Sequence, residues 1–161
     1  MRRMRALQIG LTVAAASFAT LLLQPPAHAE SWAYAMQTGH GNHSIQVDVD
    51  SLEQKQGYIV ARLLYEYYPK EGNASEPAAS TARSAIVDGA FDCQQQRFQA
   101  LSRTEYAAAE AKGAVGTSVH SVLAADRWKP ASGDPETFAI IDWVCSVATL
   151  KLSAVQAGSK P

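Results

Sequence analysis

Cysteines are scarce in this sequence: Cys93 and Cys145 are the only two among 161 residues, and no Cys-x-x-Cys pair is present. Redox centres usually pair cysteines two residues apart, so a redox or metal role is the less favoured alternative. Both cysteines follow a segment with the features of a secretion signal, and exported proteins keep such residues oxidised. We therefore expect one structural disulfide between Cys93 and Cys145.

The sequence also lacks any run of basic residues after its first five positions. Three arginines lie in those positions, and beyond them 11 Lys and Arg stand against 15 Asp and Glu, a net charge of −4. Proteins that bind a phosphate backbone need clustered positive charge to displace its counterions. A nucleic-acid partner is therefore not expected.

The N-terminus has the order of a cleavable signal peptide. The three arginines precede an uncharged stretch, residues 6–23, which ends near Ala27-His28-Ala29. This basic, apolar and small-x-small order predicts a signal peptide over residues 1–29 with cleavage after Ala29. An uncleaved membrane anchor is the alternative, but Pro25-Pro26 and the Thr, Ser and Ala content argue against it. The first mature residue is Glu30 rather than a cysteine, so we expect a periplasmic or secreted protein without a lipid anchor.

After the leader we expect a single domain over residues 30–152, followed by a flexible tail over 153–161. Alternation of apolar and polar residues predicts strands at residues 45–49, 58–68, 81–93, 95–106 and 117–125. Asp50-Ser51 is expected to form a turn or a short helical start, and Gly113 another turn. Residues 69–79 have loop composition and include Asn73-Ala74-Ser75, which we interpret as a polar loop.

The last element is expected to be a helix that starts at Asp134-Pro135, a capping carboxylate followed by a proline at the first helical position. Phe138, Ile141 and Cys145 follow at helical spacing on one apolar stripe, with Val144 and Ala148 beside it. In the strand over 81–93, Cys93 shares a face with Val87 and Phe91. A bond between the two cysteines would therefore fasten the helix onto the sheet.

Dispersed residues around these cysteines resemble the bacterial surface-adhesin protein E family. The resemblance spans about residues 32–148 and is carried by Ser51, Tyr68, Ala82-Arg83-Ser84, Cys93, Arg97, Tyr106, Trp128-Lys129-Pro130 and Val144-Cys145. It implies an α+β fold, an antiparallel sheet of about six strands with one C-terminal helix packed on its concave face and tethered by the disulfide.

The resemblance also implies a function. The best-studied members of the family are outer-membrane lipoproteins that bind host matrix and plasma proteins and can associate through their sheets. This chain departs from them because it has no lipidation cysteine. In addition, the segment before Ala82, basic in such adhesins and implicated in binding, is here Ala78-Ala79-Ser80-Thr81.

Other candidate sites have ordinary explanations. His40 and His43 could ligate a metal, but no further ligand is obvious and Gly-Asn between them suits a turn. His120 lies beside Ser118 without an orienting acid. The carboxylates Asp48 and Asp50 share a strand face, where we expect both to be solvated. The aromatic residues Tyr58, Tyr65, Tyr67, Tyr68, Trp128 and Trp143 suit packing, although exposed tyrosines would also suit protein or glycan contact.

The sequence thus favours an exported, non-enzymatic binding domain whose partner is a protein or extracellular-matrix ligand. It assigns no catalytic, cofactor-binding, metal-binding or partner-binding residue. One alternative is a periplasmic structural or accessory envelope protein that forms a homodimer through exposed sheet edges. A remote alternative is a small hydrolase or metal-dependent enzyme that uses His40, His43 or His120.

Overall fold

A single antiparallel sheet organises the chain in the computed structural model, which describes residues 30–38, 42–68 and 82–158. Its elements, in chain order, are β1 Trp32–Gln37, β2 His43–Lys55, β3 Tyr58–Tyr67, β4 Ser84–Asp92, β5 Arg97–Tyr106, β6 Val115–His120, the 3₁₀ turn Ala125–Arg127, β7 Lys129–Pro130 and the helix α1 Pro135–Gly158. Strands β1 to β6 are sheet neighbours in their order along the chain, and the short β7 pairs with β5. The predicted α+β fold, a sheet of about six strands with a C-terminal helix, is confirmed.

The core lies between α1 and one face of the sheet. Alternation along β2, β3 and β4 turns apolar side chains toward the helix, which supplies apolar residues at spacings of three and four. The buried members include Ile45, Val47, Leu63, Val87, Phe91, Ile140, Ile141, Val144 and Ala148. Each larger side chain buried in this way contributes roughly 1.5–3 kcal/mol.

The disulfide fastens this helix to the sheet. Cys93 follows the last residue of β4 and Cys145 lies in the middle of α1, with their Cα atoms 5.7 Å apart and a sequence separation of 52 residues. Both side chains pack against the core cluster. The expected strand-to-helix bond is present, although Cys93 lies one residue beyond the strand.

The start of α1 was predicted correctly from its cap. The Asp134 carboxylate accepts the Glu136 backbone N–H at 3.1 Å and the Thr137 hydroxyl at 2.5 Å. The bond from Thr137 is the main reason that the pKa of Asp134 lies below its usual value. At its other end the backbone of α1 is helical to Gly158.

The apolar stripe predicted for α1 is correct at Ile141, Val144 and Ala148, which are buried, and wrong at one residue. Phe138 was assigned to it, but 53% of Phe138 is exposed, whereas Ile140 is buried. The buried stripe is centred near Val144 and Ala148, and Phe138 lies about a quarter of a turn away from that centre.

A contiguous stretch of α1, Pro135–Ala154, is also long and apolar enough by composition to cross a membrane, with a mean hydropathy of 1.4. In the described residues this stretch packs on the sheet through Ile141 and Val144.

Strand β2 continues where a turn was expected. Asp50 and Ser51 lie inside it, at a register shift between Asp48 and Glu53. The Ser51 hydroxyl donates to the Asp48 carbonyl at 2.6 Å and accepts the Arg62 backbone N–H at 2.8 Å. A serine side chain therefore replaces a ladder bond at the irregularity, and the predicted turn is wrong.

Strand β6 is shorter than expected and ends at His120 instead of continuing to residue 125. The chain leaves the edge of the sheet there because the side chain of Gln99 holds it. Buried Gln99 donates to the Val122 carbonyl at 2.8 Å and accepts the Ala124 N–H at 3.2 Å. Ser121 still donates its N–H to the Leu101 carbonyl at 2.7 Å, and beyond it the side-chain amide of Gln99 ties the segment to β5.

Candidate functional site

The face of the sheet opposite α1, which we call the open face, carries a row of polar and aromatic side chains. Antiparallel pairing aligns one residue from each of the six long strands in this row: Trp32, Asp48, Arg62, Asp88, Ser102 and His120. Register alone produces the alignment, because directly opposed residues share a face. We call it the central row.

The middle of the central row is a bonded network. Arg62 Nε donates to Asp88 Oδ1 at 3.0 Å, and the Ser102 hydroxyl donates to Asp88 Oδ2 at 2.7 Å. The hydrogen bond to Asp88 raises the pKa of Arg62. The side chains of Arg62 and Asp88 are still 43% and 35% exposed. Because protein bonds already fix their rotamers, little ordering entropy would be lost when a partner contacts them.

Asp48 belongs to the same row but is not solvated as expected. It is 5% exposed and its Oδ1 accepts backbone N–H groups from Ser31 at 3.2 Å and Asp50 at 3.1 Å. Asp50 is exposed and accepts the Ser31 hydroxyl at 2.7 Å. The two carboxylates therefore hold residue 31 against β2, which is a structural use of the pair.

Beside the central row lies a half-open cleft of about 350 Å³. Glu30 and Trp32 form one wall, Gln46 and Leu64 lie on the sheet between the walls, and residues 110–112 of the β5–β6 connection form the other wall. Leu64 is 3% exposed. The volume falls in the range of small-molecule binding sites.

The wall formed by residues 110–112 is held in an unusual backbone conformation. Glu110 and Ala111 both have positive φ, 57° and 53°. Fully buried Ser84 fixes this segment, since its hydroxyl donates to the Ala108 carbonyl at 2.6 Å and accepts the Ala111 N–H at 3.0 Å. The Glu66 carboxylate accepts the Glu110 N–H at 2.6 Å.

Two side chains of opposite charge lie at the solvent-exposed rim of this wall. Lys112 Nζ and Glu110 Oε2 form an ion pair in which both side chains are largely exposed. Their hydrogen bond lowers the pKa of Glu110 and raises that of Lys112. Both groups stay charged at neutral pH and offer a donor and an acceptor to anything in the cleft.

A second polar cluster lies on the helix side of the sheet. His43 Nε2 is 2.9 Å from Glu136 Oε1, and the His43 ring lies against those of Tyr65 and Tyr67 at 5.7 and 5.8 Å. Arg103 donates to the Tyr67 hydroxyl at 2.9 Å. Burial raises the pKa of both tyrosines. These contacts join the sheet to the first turn of α1.

This arrangement gives little support to a metal-binding or catalytic role for the histidines. His43 already engages Glu136, and His40 lies outside the described residues. Across residues 30–38, 42–68 and 82–158, no three His, Cys, Asp or Glu side chains are placed to hold a metal ion. On exposed β6, the Ser118 hydroxyl lies 3.0 Å from that of Thr104.

The predicted aromatic residues divide between the two faces. Tyr58 contacts Trp128 with ring centroids 6.2 Å apart, and the Arg97 guanidinium lies 4.7 Å above the Trp128 ring. Trp143 packs against the core. Tyr68 is 46% exposed and its hydroxyl is 2.9 Å from that of Ser44.

Comparison with known proteins identifies the family. The family model for surface-adhesin protein E matches residues 32–146, well over half of the chain. The chain belongs to the surface-adhesin protein E family. A solved structure similar to it is protein E from non-typeable Haemophilus influenzae, with 16% identity over 65% of this chain and 74% of that one and a TM-score of 0.35. No curated protein matches the chain.

Two serines noted for their family resemblance now have structural explanations. Ser51 supports the irregularity in β2, and Ser84 supports the wall of the cleft. The segments in which this chain departs from studied family members, residues 1–29 and 78–81, lie outside the described residues, as does Asn73-Ala74-Ser75.

Sequence reasoning missed the main groups of the open face. Arg62 bonds to Asp88, 26 residues later, and Asp88 also accepts the Ser102 hydroxyl from a third strand. Trp32 entered the sequence comparison only as the first residue of the range that resembles the family. Alternation along the sequence shows which residues lie on the polar face of a strand. It does not show the register between strands, which decides which polar residues lie next to each other.

Proposed function

We propose that the chain is an exported, non-enzymatic binding domain of the adhesin type that recognises an extracellular-matrix protein through its open face. The observation that carries this proposal is the family match over residues 32–146. The accessible network around Arg62 and Asp88 supports the choice of face, since it offers charged groups whose geometry is already set.

The proposal includes export with cleavage after Ala29, a mature domain over 30–152 and a tail over 153–161. Contacts of the first described residues support this boundary. Ser31 bonds to Asp48 through its N–H, and its carbonyl accepts the Val49 N–H at 2.9 Å. Intact mass of the exported protein should correspond to a chain that starts at Glu30, and fractionation should find it in the periplasm or medium. Retention of the leader in the exported protein would contradict this part.

The binding role is tested with the mature protein, its disulfide intact, on immobilised fibronectin, laminin and collagen. We expect saturable binding to at least one of them, and at least a tenfold loss for Arg62→Glu. The matched control is Arg127→Glu, an equal charge reversal at an exposed residue of the 3₁₀ turn. Absence of binding to every matrix protein, or an equal loss in both variants, would count against the proposal.

A homodimer that acts as an accessory envelope protein is the second candidate, and the edge strand β6 favours it. Val115 and Val119 of this strand are 63% and 54% exposed. An edge with exposed apolar residues can pair with another sheet. Light scattering of the mature protein at high concentration should then give the dimer mass, and Val119→Lys should reduce it to the monomer. A monomer at every concentration would exclude this candidate.

A further inference from the structure

The geometry points to the cleft on the open face as a binding site for an uncharged saccharide. This goes beyond the proposed adhesive role, because a saccharide could occupy the cleft whether or not the domain recognises a matrix protein. The space of about 350 Å³ is large enough for a small-molecule ligand and is open to solvent on one side.

The apolar groups of the cleft suit the C–H face of a sugar ring. Trp32 offers its half-buried indole, whose Nε1 donates to Glu30 Oε2 at 3.2 Å. Leu64 lies on the sheet nearby. A sugar is amphipathic in the same sense as the cleft, with C–H groups on its faces and hydroxyls around its edge.

Gln46 supplies a polar group that the protein leaves unused. Its side chain is half-buried on the sheet between the two walls, and no hydrogen bond to it is found within the described part of the chain. An amide offers two donors and one acceptor, which suits sugar hydroxyls because they both donate and accept.

The charges around the cleft favour an uncharged ligand. Each carboxylate at its rim has a cationic neighbour, since Glu30 lies 3.7 Å from Arg62 and Glu110 pairs with Lys112. The four side-chain charges balance, so apart from the α-ammonium group that cleavage after Ala29 would leave on Glu30, neither an anion nor a cation gains a net attraction. They still supply charge-assisted donors and acceptors for hydroxyl groups.

The second wall is built before any ligand arrives. Positive φ at Glu110 and Ala111 is unfavourable for residues with side chains, and it persists because Ser84 and Glu66 hold both amides. This arrangement places the side chains of Glu110 and Lys112 at the cleft. Ser84 is therefore a positioning residue for the site.

The test is a titration of ¹⁵N-labelled mature protein followed by NMR. The probes are N-acetyllactosamine, as found on host glycoproteins, and chitotetraose, a neutral mimic of the envelope glycan backbone. We expect saturable shifts of the Trp32 indole N–H and the 110–112 amides with at least one probe. The indoles of Trp128 and Trp143 serve as internal controls and should not move.

Variants assign the binding to the cleft. Trp32→Ala and Gln46→Ala should each weaken binding at least tenfold, while Phe138→Ala, which truncates an exposed aromatic residue of α1 outside the cleft, should leave it within twofold. If Trp32→Ala fails to fold, Lys112→Ala replaces it, because that side chain is 71% exposed. Equal loss in Phe138→Ala would overturn the assignment.

Two further outcomes would also overturn it. One is the absence of saturable shifts with both probes, and the other is tenfold tighter binding of sialylated N-acetyllactosamine, which would show a preference for charge. The result is independent of the adhesive role, since matrix binding is measured separately with Arg62→Glu. The probe that binds distinguishes a host glycan from an envelope glycan.

Discussion

The two faces of the sheet have opposite constructions. The helix side is filled by apolar residues such as Ile45, Leu63 and Ile141, none of which has measurable exposure, and it is closed by the disulfide. The open face carries charged and hydroxyl groups, bonded to one another and still accessible, as in the Arg62–Asp88 pair. Stability should therefore reside mainly on the helix side, and recognition on the open face.

The energetic difference between the faces follows from what each buries. Removing a large apolar side chain from a packed core costs several kcal/mol because a cavity remains. Partly exposed ion pairs contribute roughly 0–1 kcal/mol, since water and salt screen them. Substitutions on the helix side should therefore lower the free energy of unfolding, whereas those on the open face should change binding with little effect on folding.

Removal of the disulfide should have the largest effect. The bond closes a loop with a sequence separation of 52 residues, and the loss of chain entropy in the unfolded state corresponds to about 4 kcal/mol. The double variant Cys93→Ser/Cys145→Ser should melt on the order of 10 °C lower than the parent. Reductant should lower the melting temperature of the parent to that of the variant and leave the melting temperature of the variant unchanged. If reductant has no effect on the parent, the helix does not depend on its covalent tether.

The substitution Ile141→Ala should come next. Ile141 has no exposed surface and lies on the stripe of α1 that meets the sheet, so its truncation should cost about 3 kcal/mol. Phe138→Ala is the control, because that side chain is larger but 53% exposed and should cost less than about 1 kcal/mol. Denaturant unfolding measures both, and equal costs would contradict the observed orientation of the helix.

Alkaline pH should weaken the helix side through Tyr65. Burial raises the pKa of its hydroxyl, and the Glu136 carboxylate raises it further. Above about pH 10 the unfolded chain therefore loses a proton that the folded chain keeps, so stability falls as the pH rises by up to about 1.4 kcal/mol per pH unit. Below that pH the contribution is fully present. Thermal melts between pH 8 and 11 should show a smaller decline for Tyr65→Phe, whereas Tyr34→Phe, at an exposed position, should follow the parent.

The open-face variant Asp88→Ala should cost only about 1 kcal/mol of stability, since both of its partners remain accessible to water. Its effect on recognition should be larger, because Arg62 and Ser102 lose the group that orients them. Denaturant unfolding and binding to the matrix proteins, measured on the same preparation, separate the two effects. A loss of several kcal/mol would show that the open face also stabilises the fold.

Local patterns in the sequence were enough to predict much of the helix side. The alternation in β3 and β4 depends on neighbouring residues, and so does the cap at Asp134. Both were confirmed. Strand β1 was missed because its register shifts between Tyr34 and Met36, which breaks the alternation, and two-residue β7 is too short for a pattern.

The open face could not be predicted in the same way, because its contacts join distant parts of the sequence. The continuation of β2 through Ser51 depends on a hydroxyl that meets the backbone of Arg62. The low exposure of Asp48 depends on its contact with Ser31, 17 residues earlier in the chain. A polar residue on a strand face is either solvated or bonded to the protein, and only the register and the connecting segments decide which. The second cleft wall, in particular, depends on a buried serine that bonds to a loop.

The smallest expected effect is a gain in stability from Ala111→Gly. Ala111 has a φ of 53°, which is unfavourable for a residue with a Cβ and easy for glycine. The relief is partly offset by the greater freedom of glycine in the unfolded chain, so the net gain should be about 0.5 kcal/mol. The control is Ala100→Gly in β5, a position without positive φ, where the same change should destabilise by a similar amount. Precise denaturant unfolding of both variants should give opposite signs. The same sign in both would mean that the wall of the cleft is not held in this backbone conformation, and the open face would then lose its preformed site.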